Sequence, residues 1–138
     1  MALEAAATLA LTGLALRVVD FRRWQGLLAR TAPNPPRLGG VSESLLDRCR
    51  RIARTQRSVA RRLPFQTNCL EQASVLWWLL RRRGIAAEMR IGARKEAARF
   101  EAHAWVEVGG VRFSEAGEGH PRFIPFDRPI GSAEIQPR

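Results

Sequence analysis

The stretch Thr67-Asn68-Cys69-Leu70-Glu71, continued by Val75-Leu76-Trp77-Trp78-Leu79-Leu80 and closed by Arg81-Arg82-Arg83-Gly84, decides how this chain folds. Asn68 and Glu71 stand three residues apart, the spacing of a helix N-cap and the acid that reaches back to its backbone N–H. Apolar side chains then fill almost every position, so the helix is expected to be buried centrally. The arginines and the glycine suit its C-terminal end, where cations meet the negative end of the dipole and glycine takes a left-handed cap. Cys69 falls in the first turn. Unpaired N–H groups and the positive end of the dipole favour a thiolate there, the nucleophilic form of cysteine. A core cysteine at a helix start is the competing reading, and the residues downstream weigh against it.

Ala86 to Ala93 alternates loosely and is expected to end at a turn containing Gly92. Ala102-His103-Ala104-Trp105-Val106-Glu107-Val108 alternates strictly, Gly109-Gly110 turns, and Val111-Arg112-Phe113-Ser114 returns, which predicts an antiparallel hairpin. The cysteine helix is therefore followed by a histidine on a strand. A cysteine nucleophile with a histidine base is the pair that acyl transfer needs, and a third side chain on the next strand can orient the imidazole. His103 otherwise reads as a half-buried strand residue beside Trp105. The other histidine, His120, lies in a Gly-His-Pro loop, so His103 is the better base by position.

Upstream, Ala5 to Leu16 is too short to cross a bilayer and has no positive start, so it reads as a buried or amphipathic helix running on towards Trp24 and Leu28. A basic-flanked helix of this kind leaves room for a peripheral membrane contact. Pro33, Pro35, Pro36, Gly39 and Gly40 form a linker, dividing an N-terminal segment, 1–40, from a domain over 41–138. The next helix is expected to start near Ser42 or Ser44, with Ser44 and Asp47 spaced as a capping box. Leu45, Cys49, Ile52, Gln56, Val59 and Leu63 form its buried stripe, widened by Leu46, Ala53 and Ala60, arginines cover the rest, and Pro64 ends it.

The chain has 138 residues, 46% of them hydrophobic and 26% charged, enough for one core. Its formal charge is +10, and Lys95 is the sole lysine, so arginine carries the excess. Such an excess favours an anionic partner. No zinc-ligand spacing, base-stacking aromatic strand or helix-turn-helix accompanies it, which argues against nucleic acid. An acidic stretch of peptide or an acidic partner protein, docked on a face holding Arg50, Arg54 and Arg57, is the expectation instead. Two cysteines are too few for a disulfide framework, which points to a reducing cytoplasm.

The order Asn68-Cys69-Leu70, a helix ending Leu80-Arg81-Arg82-Arg83-Gly84-Ile85, a strand ending Ile91-Gly92, and then His103-Ala104-Trp105-Val106-Glu107-Val108 resembles the transglutaminase-like cysteine proteases. More closely, from about Leu45 to Phe126, it resembles the leader peptidases of lasso-peptide biosynthesis. The resemblance implies an α+β, papain-like fold: N-terminal helices, a central helix carrying Cys69 and a small antiparallel sheet carrying His103. It implies a cysteine endopeptidase that cuts the leader from a ribosomally made precursor peptide and frees an amine for an ATP-dependent macrocyclase. Leader recognition would lie in a separate small protein, since the segment before the second helix is too short and too helical to be that strand-rich domain. Cys69 would be the nucleophile and His103 the base, with no metal and no cofactor. Glu115 stands where the family has its aspartate, with Asp127 in reserve. The Cys69 N–H, with the Gln66 or Asn68 amide, would hold the oxyanion. Two other readings remain open: a transglutaminase or acyltransferase with the same triad, and a non-catalytic arginine-rich adaptor.

Strand parity makes the Glu115 assignment specific. A three-residue loop, Val108-Gly109-Gly110, with a bulge at Gly110 would pair His103 with Glu115 and Trp105 with Phe113. A two-residue turn would pair Val108 with Val111 and set Glu115 opposite Ala104. Glu115 as the third member therefore calls for the bulged hairpin.

Overall fold

The computed structural model describes residues 1–33, 35, 40–96, 98–114, 117–118 and 124–125. Helices α1 (Ala2–Val18), α2 (Phe21–Thr31), α3 (Glu43–Arg62) and α4 (Cys69–Arg82) precede strands β1 (Glu88–Glu96), β2 (Arg99–Val108), β3 (Val111–Ser114), β4 (Gly117–Glu118) and β5 (Ile124–Pro125). The strands form an antiparallel sheet in the order β4-β3-β2-β1-β5. The fold is α+β, as expected.

Helix α4 is the centre. The Asn68 side chain accepts from the Glu71 N–H at 2.9 Å, and the Glu71 carboxylate accepts from the Asn68 N–H at 3.1 Å, so the capping box forms. Val75, Trp77, Leu79 and Leu80 are at most 1% exposed. Helix α1 runs antiparallel along α4 and ties it at both ends. Glu4 pairs with Arg82 and Arg83 at 3.0 and 2.6 Å, while Gly13 lies beside Phe65 and Glu71.

One long N-terminal helix was expected, and the chain instead breaks at Val19-Asp20. Asp20 is extended, and its carbonyl accepts from Arg23 and Trp24 to start α2. The break folds α2 back so that Trp24 Nε1 donates to Thr12 Oγ1 and Thr31 Oγ1 accepts from Trp78 Nε1. The cap of α3 is Ser42, whose hydroxyl accepts from the Leu45 N–H. Ser44 bonds to that hydroxyl instead of capping, and Asp47 pairs with Arg50, so no Ser44–Asp47 box forms. Leu46, Cys49, Ile52, Ala53, Gln56 and Ala60 make the buried stripe. Leu63 turns extended ahead of Pro64, whose ring disfavours helix at the residue before it.

Gly92 was expected in a turn but lies inside β1, paired with His103. The need for glycine there is non-local: a Cβ would collide with the Ile124 carbonyl of β5 and with the Trp105 ring. The hairpin also differs from the bulged form. Gly109 and Gly110, at φ +56° and +81°, make a two-residue turn, pairing Val108 with Val111, Glu107 with Arg112 and Val106 with Phe113. Two glycines allow left-handed backbone at both central positions, and that turn matches the twist of the strands. The register also sets Phe113 on the core face beside Val106, where it is 2% exposed.

The sheet therefore has two distinct faces. Met89, Ala104, Val106, Val108 and Phe113 face the helices; the Ser74 hydroxyl of α4 donates to the Leu70 carbonyl at 2.7 Å and lies 3.7 Å from Met89 Sδ. Gly92, His103, Trp105, Glu107, Arg112 and Ser114 belong to the other face by alternation. Among the described residues, no helix is long and apolar enough to cross a membrane.

The hairpin gives a stability test. Alanine at either glycine incurs a left-handed backbone cost of about 1 kcal/mol. A Cβ on Gly109 also collides with Val41, whereas Gly110 faces open space. Gly109→Ala is expected to lower Tm more than Gly110→Ala in thermal unfolding, and Val41→Ala to recover only part of the difference, because the Val41 Cβ, 2.8 Å from the added carbon, remains.

Candidate active site

Cys69 opens α4 as its first residue, a half-buried free thiol. The capping box occupies the Asn68 and Glu71 N–H groups, and the Gln72 N–H donates to the Asn68 carbonyl. Cys69 and Leu70 keep first-turn N–H groups with no partner among the described residues. These donors can receive the oxyanion that forms on a carbonyl oxygen when the Cys69 sulfur attacks its carbon. Asn68 acts as the cap through its side-chain oxygen, while Gln66 is exposed on the rim of a cleft just ahead of Cys69. Gln72 Nε2 donates to Thr67 Oγ1 at 3.1 Å across the wall of that cleft.

Cys49 is the opposite case. It is 0% exposed in the α3 stripe, and burial pushes its thiol up from 9.0 to about 11 against the opposing pull of Arg48 and Arg50. A thiol so poor in thiolate packs and does not attack.

The level of Cys69 along the sheet follows from the connection between α4 and β1. Residues 83–87 join the C-terminal end of α4 to the start of β1, so the two run antiparallel, with Ser74 against Met89. Cys69 lies five residues before Ser74, about 7.5 Å along the helix axis. The same distance along β1 is about two residues beyond Met89, which reaches Ile91–Gly92. Their partners on β2 are Ala104 and His103. Alternation turns the His103 imidazole away from the face that α4 covers, to the Trp105 face.

On that face, the His103 ring lies along Trp105, with centroids 6.4 Å apart and planes 22° from parallel. Trp105 Nε1 donates to Glu107 Oε1 at 2.9 Å, and the Arg112 guanidinium sits 4.8 Å from the Trp105 ring centre. Glu107 is held in turn by Arg90 and Arg112, each at 3.5 Å. The platform under the imidazole is thus Gly92, Trp105, Glu107 and Arg112. Sequence reasoning missed Gly92, Glu107 and Arg112, although the alternation of 103, 105 and 107 was the signal for one shared face.

Glu115 and Asp127 lie outside the described residues. The register that would pair His103 with Glu115 is not the one formed, and β3 ends at Ser114, so strand parity carries no further. Among the described residues, no group of three or more His, Cys, Asp or Glu could hold a metal ion.

The α+β scaffold thus carries a free cysteine at the start of its buried helix and a histidine on the sheet that the helix covers. Comparison with known families agrees: residues 9–126 match the transglutaminase-like superfamily, and the chain belongs to it. That superfamily typically comprises cysteine proteases and acyltransferases. The match begins within α1 and extends past β5, so it takes in all of α2 and the part of α1 that carries Gly13. No curated protein and no solved structure matches the chain.

Two measurements check this site. Iodoacetamide near neutral pH is expected to label Cys69 and spare Cys49 until the protein unfolds, as read by peptide mass spectrometry. Because the folded Cys49 value lies above its unfolded one, its contribution to stability is complete below pH 9 and is lost as pH rises through about 11. Cys49→Ala should flatten that alkaline decline in denaturant midpoints.

Proposed function

We propose that the protein is a cytoplasmic cysteine endopeptidase that removes the leader from a ribosomally synthesised precursor of the lasso-peptide kind. The observation that carries this reading is Cys69 in the first turn of a capped, buried helix, in a chain of the transglutaminase-like superfamily. In the reaction, the Cys69 sulfur attacks the scissile carbonyl and the first-turn N–H groups hold the oxyanion. His103 takes the thiol proton and returns it to the departing amine of the core peptide. Water then hydrolyses the thioester and releases the leader. The reading asks the imidazole to come within hydrogen-bond reach of the sulfur in the substrate complex, as geometry often tightens only there. An acid then orients it: the two-residue turn withdraws the register that favoured Glu115, so Asp127 stands beside it as an equal candidate. A separate recognition protein presents the leader, and an ATP-dependent macrocyclase receives the freed amine.

The direct experiment incubates the protein with a precursor peptide and recognition protein encoded beside it, and follows products by mass spectrometry. Leader and core fragments are expected from the wild type and from Cys49→Ala, and neither from Cys69→Ala with an unchanged circular dichroism spectrum. His103→Ala should slow cleavage by about 100-fold or more. Equal cleavage by Cys69→Ala would overturn the reading, and unchanged cleavage by His103→Ala would remove that residue from the mechanism. Of Glu115→Ala and Asp127→Ala, the one with the larger loss in kcat identifies the acid.

A further inference from the structure

Helix α1 is built inside out. Its polar side chains are engaged within the fold: Glu4 pairs with Arg82 and Arg83, Thr8 donates to the Glu4 carbonyl, and Thr12 accepts from Trp24 Nε1. Leu3, Ala7, Ala10, Leu11, Leu14 and Val18 fall within about 100° of arc on the other side of the helix. That arc is exposed throughout, with Leu3 at 87%, Leu11 at 58%, Leu14 at 63% and Val18 at 80%. The ridge they form runs about 22 Å along the axis. A continuous apolar surface of this kind marks a contact with something outside the chain.

Arg17 borders the arc, and Arg22 and Arg23 lie in the first turn of α2, four and five residues after Val18. Chain connectivity therefore holds three exposed arginines at the C-terminal end of the ridge. None of them has a carboxylate partner among the described residues, unlike Arg50, which Glu43 and Asp47 hold at 2.7 Å. From Ala5 to Ser42 the sequence has five arginines and one acid, Asp20. We infer that the outward face of α1 is a lipid-binding surface. The helix lies flat in the headgroup region of an anionic bilayer, its leucines at the acyl boundary and Arg17, Arg22 and Arg23 on lipid phosphates. Charge selects this occupant over a second copy, which would bring a formal +10 against its own like. The ridge also has no hydrogen-bonding side chain to fix the register of a protein partner, and a lipid surface needs none. Among the described residues no helix is long and apolar enough to cross a membrane, so the contact is with the surface. The inference concerns the side of α1 turned away from α4 and is independent of the peptidase reading.

The test is co-sedimentation of the full chain with vesicles, together with light scattering for its mass in solution. Vesicles of phosphatidylglycerol and phosphatidylcholine in equal parts are compared with phosphatidylcholine alone. A monomer is expected that sediments with the anionic vesicles and about tenfold less with the neutral ones. Leu11→Gln/Leu14→Gln and Arg22→Gln/Arg23→Gln should each weaken anionic-vesicle binding about tenfold, and added salt should weaken it further. Arg99→Gln/Phe100→Gln, which removes an exposed charge and an exposed ring from β2, should leave it unchanged. Circular dichroism confirms that each variant is folded. Sedimentation with neither vesicle, the result if a protein partner covers this face, would overturn the inference. So would a dimer that Leu11→Gln/Leu14→Gln dissolves, anionic-vesicle binding that this variant leaves intact, or an equal loss in the β2 variant.

Discussion

The reciprocal hydrogen bonds between Asn68 and Glu71 decide where α4 begins, and most of the molecule is arranged around that decision. An N-cap of this kind contributes about 1 kcal/mol by itself. Its larger effect is positional: it leaves the Cys69 and Leu70 N–H groups as the open donors of the first turn. The rest of the helix is buried so completely that its start cannot slide. Glu4 clasps its far end through Arg82 and Arg83, Gly13 lets α1 pass close to the cap, and Ser74 sets its height on the sheet.

The sheet then does two jobs with one strand. Ala104, Val106 and Val108 supply the surface on which α4 rests, and His103, Trp105 and Glu107 build a polar platform on the reverse. Trp105 is 2% exposed yet belongs to that reverse face, sheltered by Gly92 below and Arg112 above. Glu107 ties the indole N–H and two guanidinium groups together, which fixes the plane on which the imidazole stacks. A platform built this way holds the His103 ring in orientation on the face of the sheet away from α4.

The helix carrying Cys69, the hairpin and the buried α3 stripe were legible in the sequence because their signals are local: a cap spacing, strict alternation, a double glycine and three-and-four periodicity. What was not legible depended on partners distant in the chain. The break at Val19-Asp20 has no proline or glycine to mark it and is stabilised by Trp24 meeting Thr12 and Trp78 meeting Thr31. Gly92 looks like a turn until Ile124 and Trp105 are seen against it. The hairpin register turned on Phe113, which had two faces to choose from and took the one with the helices. The helix start at Cys69 and the strand carrying His103 were legible by order along the chain, whereas the face His103 occupies follows from which alternate residues cover α4.

The account's central claim is that the Cys69 sulfur forms a bond to the substrate carbonyl. Rapid acid quenching during precursor cleavage, followed by intact-protein and peptide mass spectrometry, tests this most directly. The account predicts a transient thioester at Cys69 whose added mass is that of the leader fragment less one water. Cleavage with no adduct under conditions that accumulate the intermediate, or an adduct carried by Cys49, would contradict it.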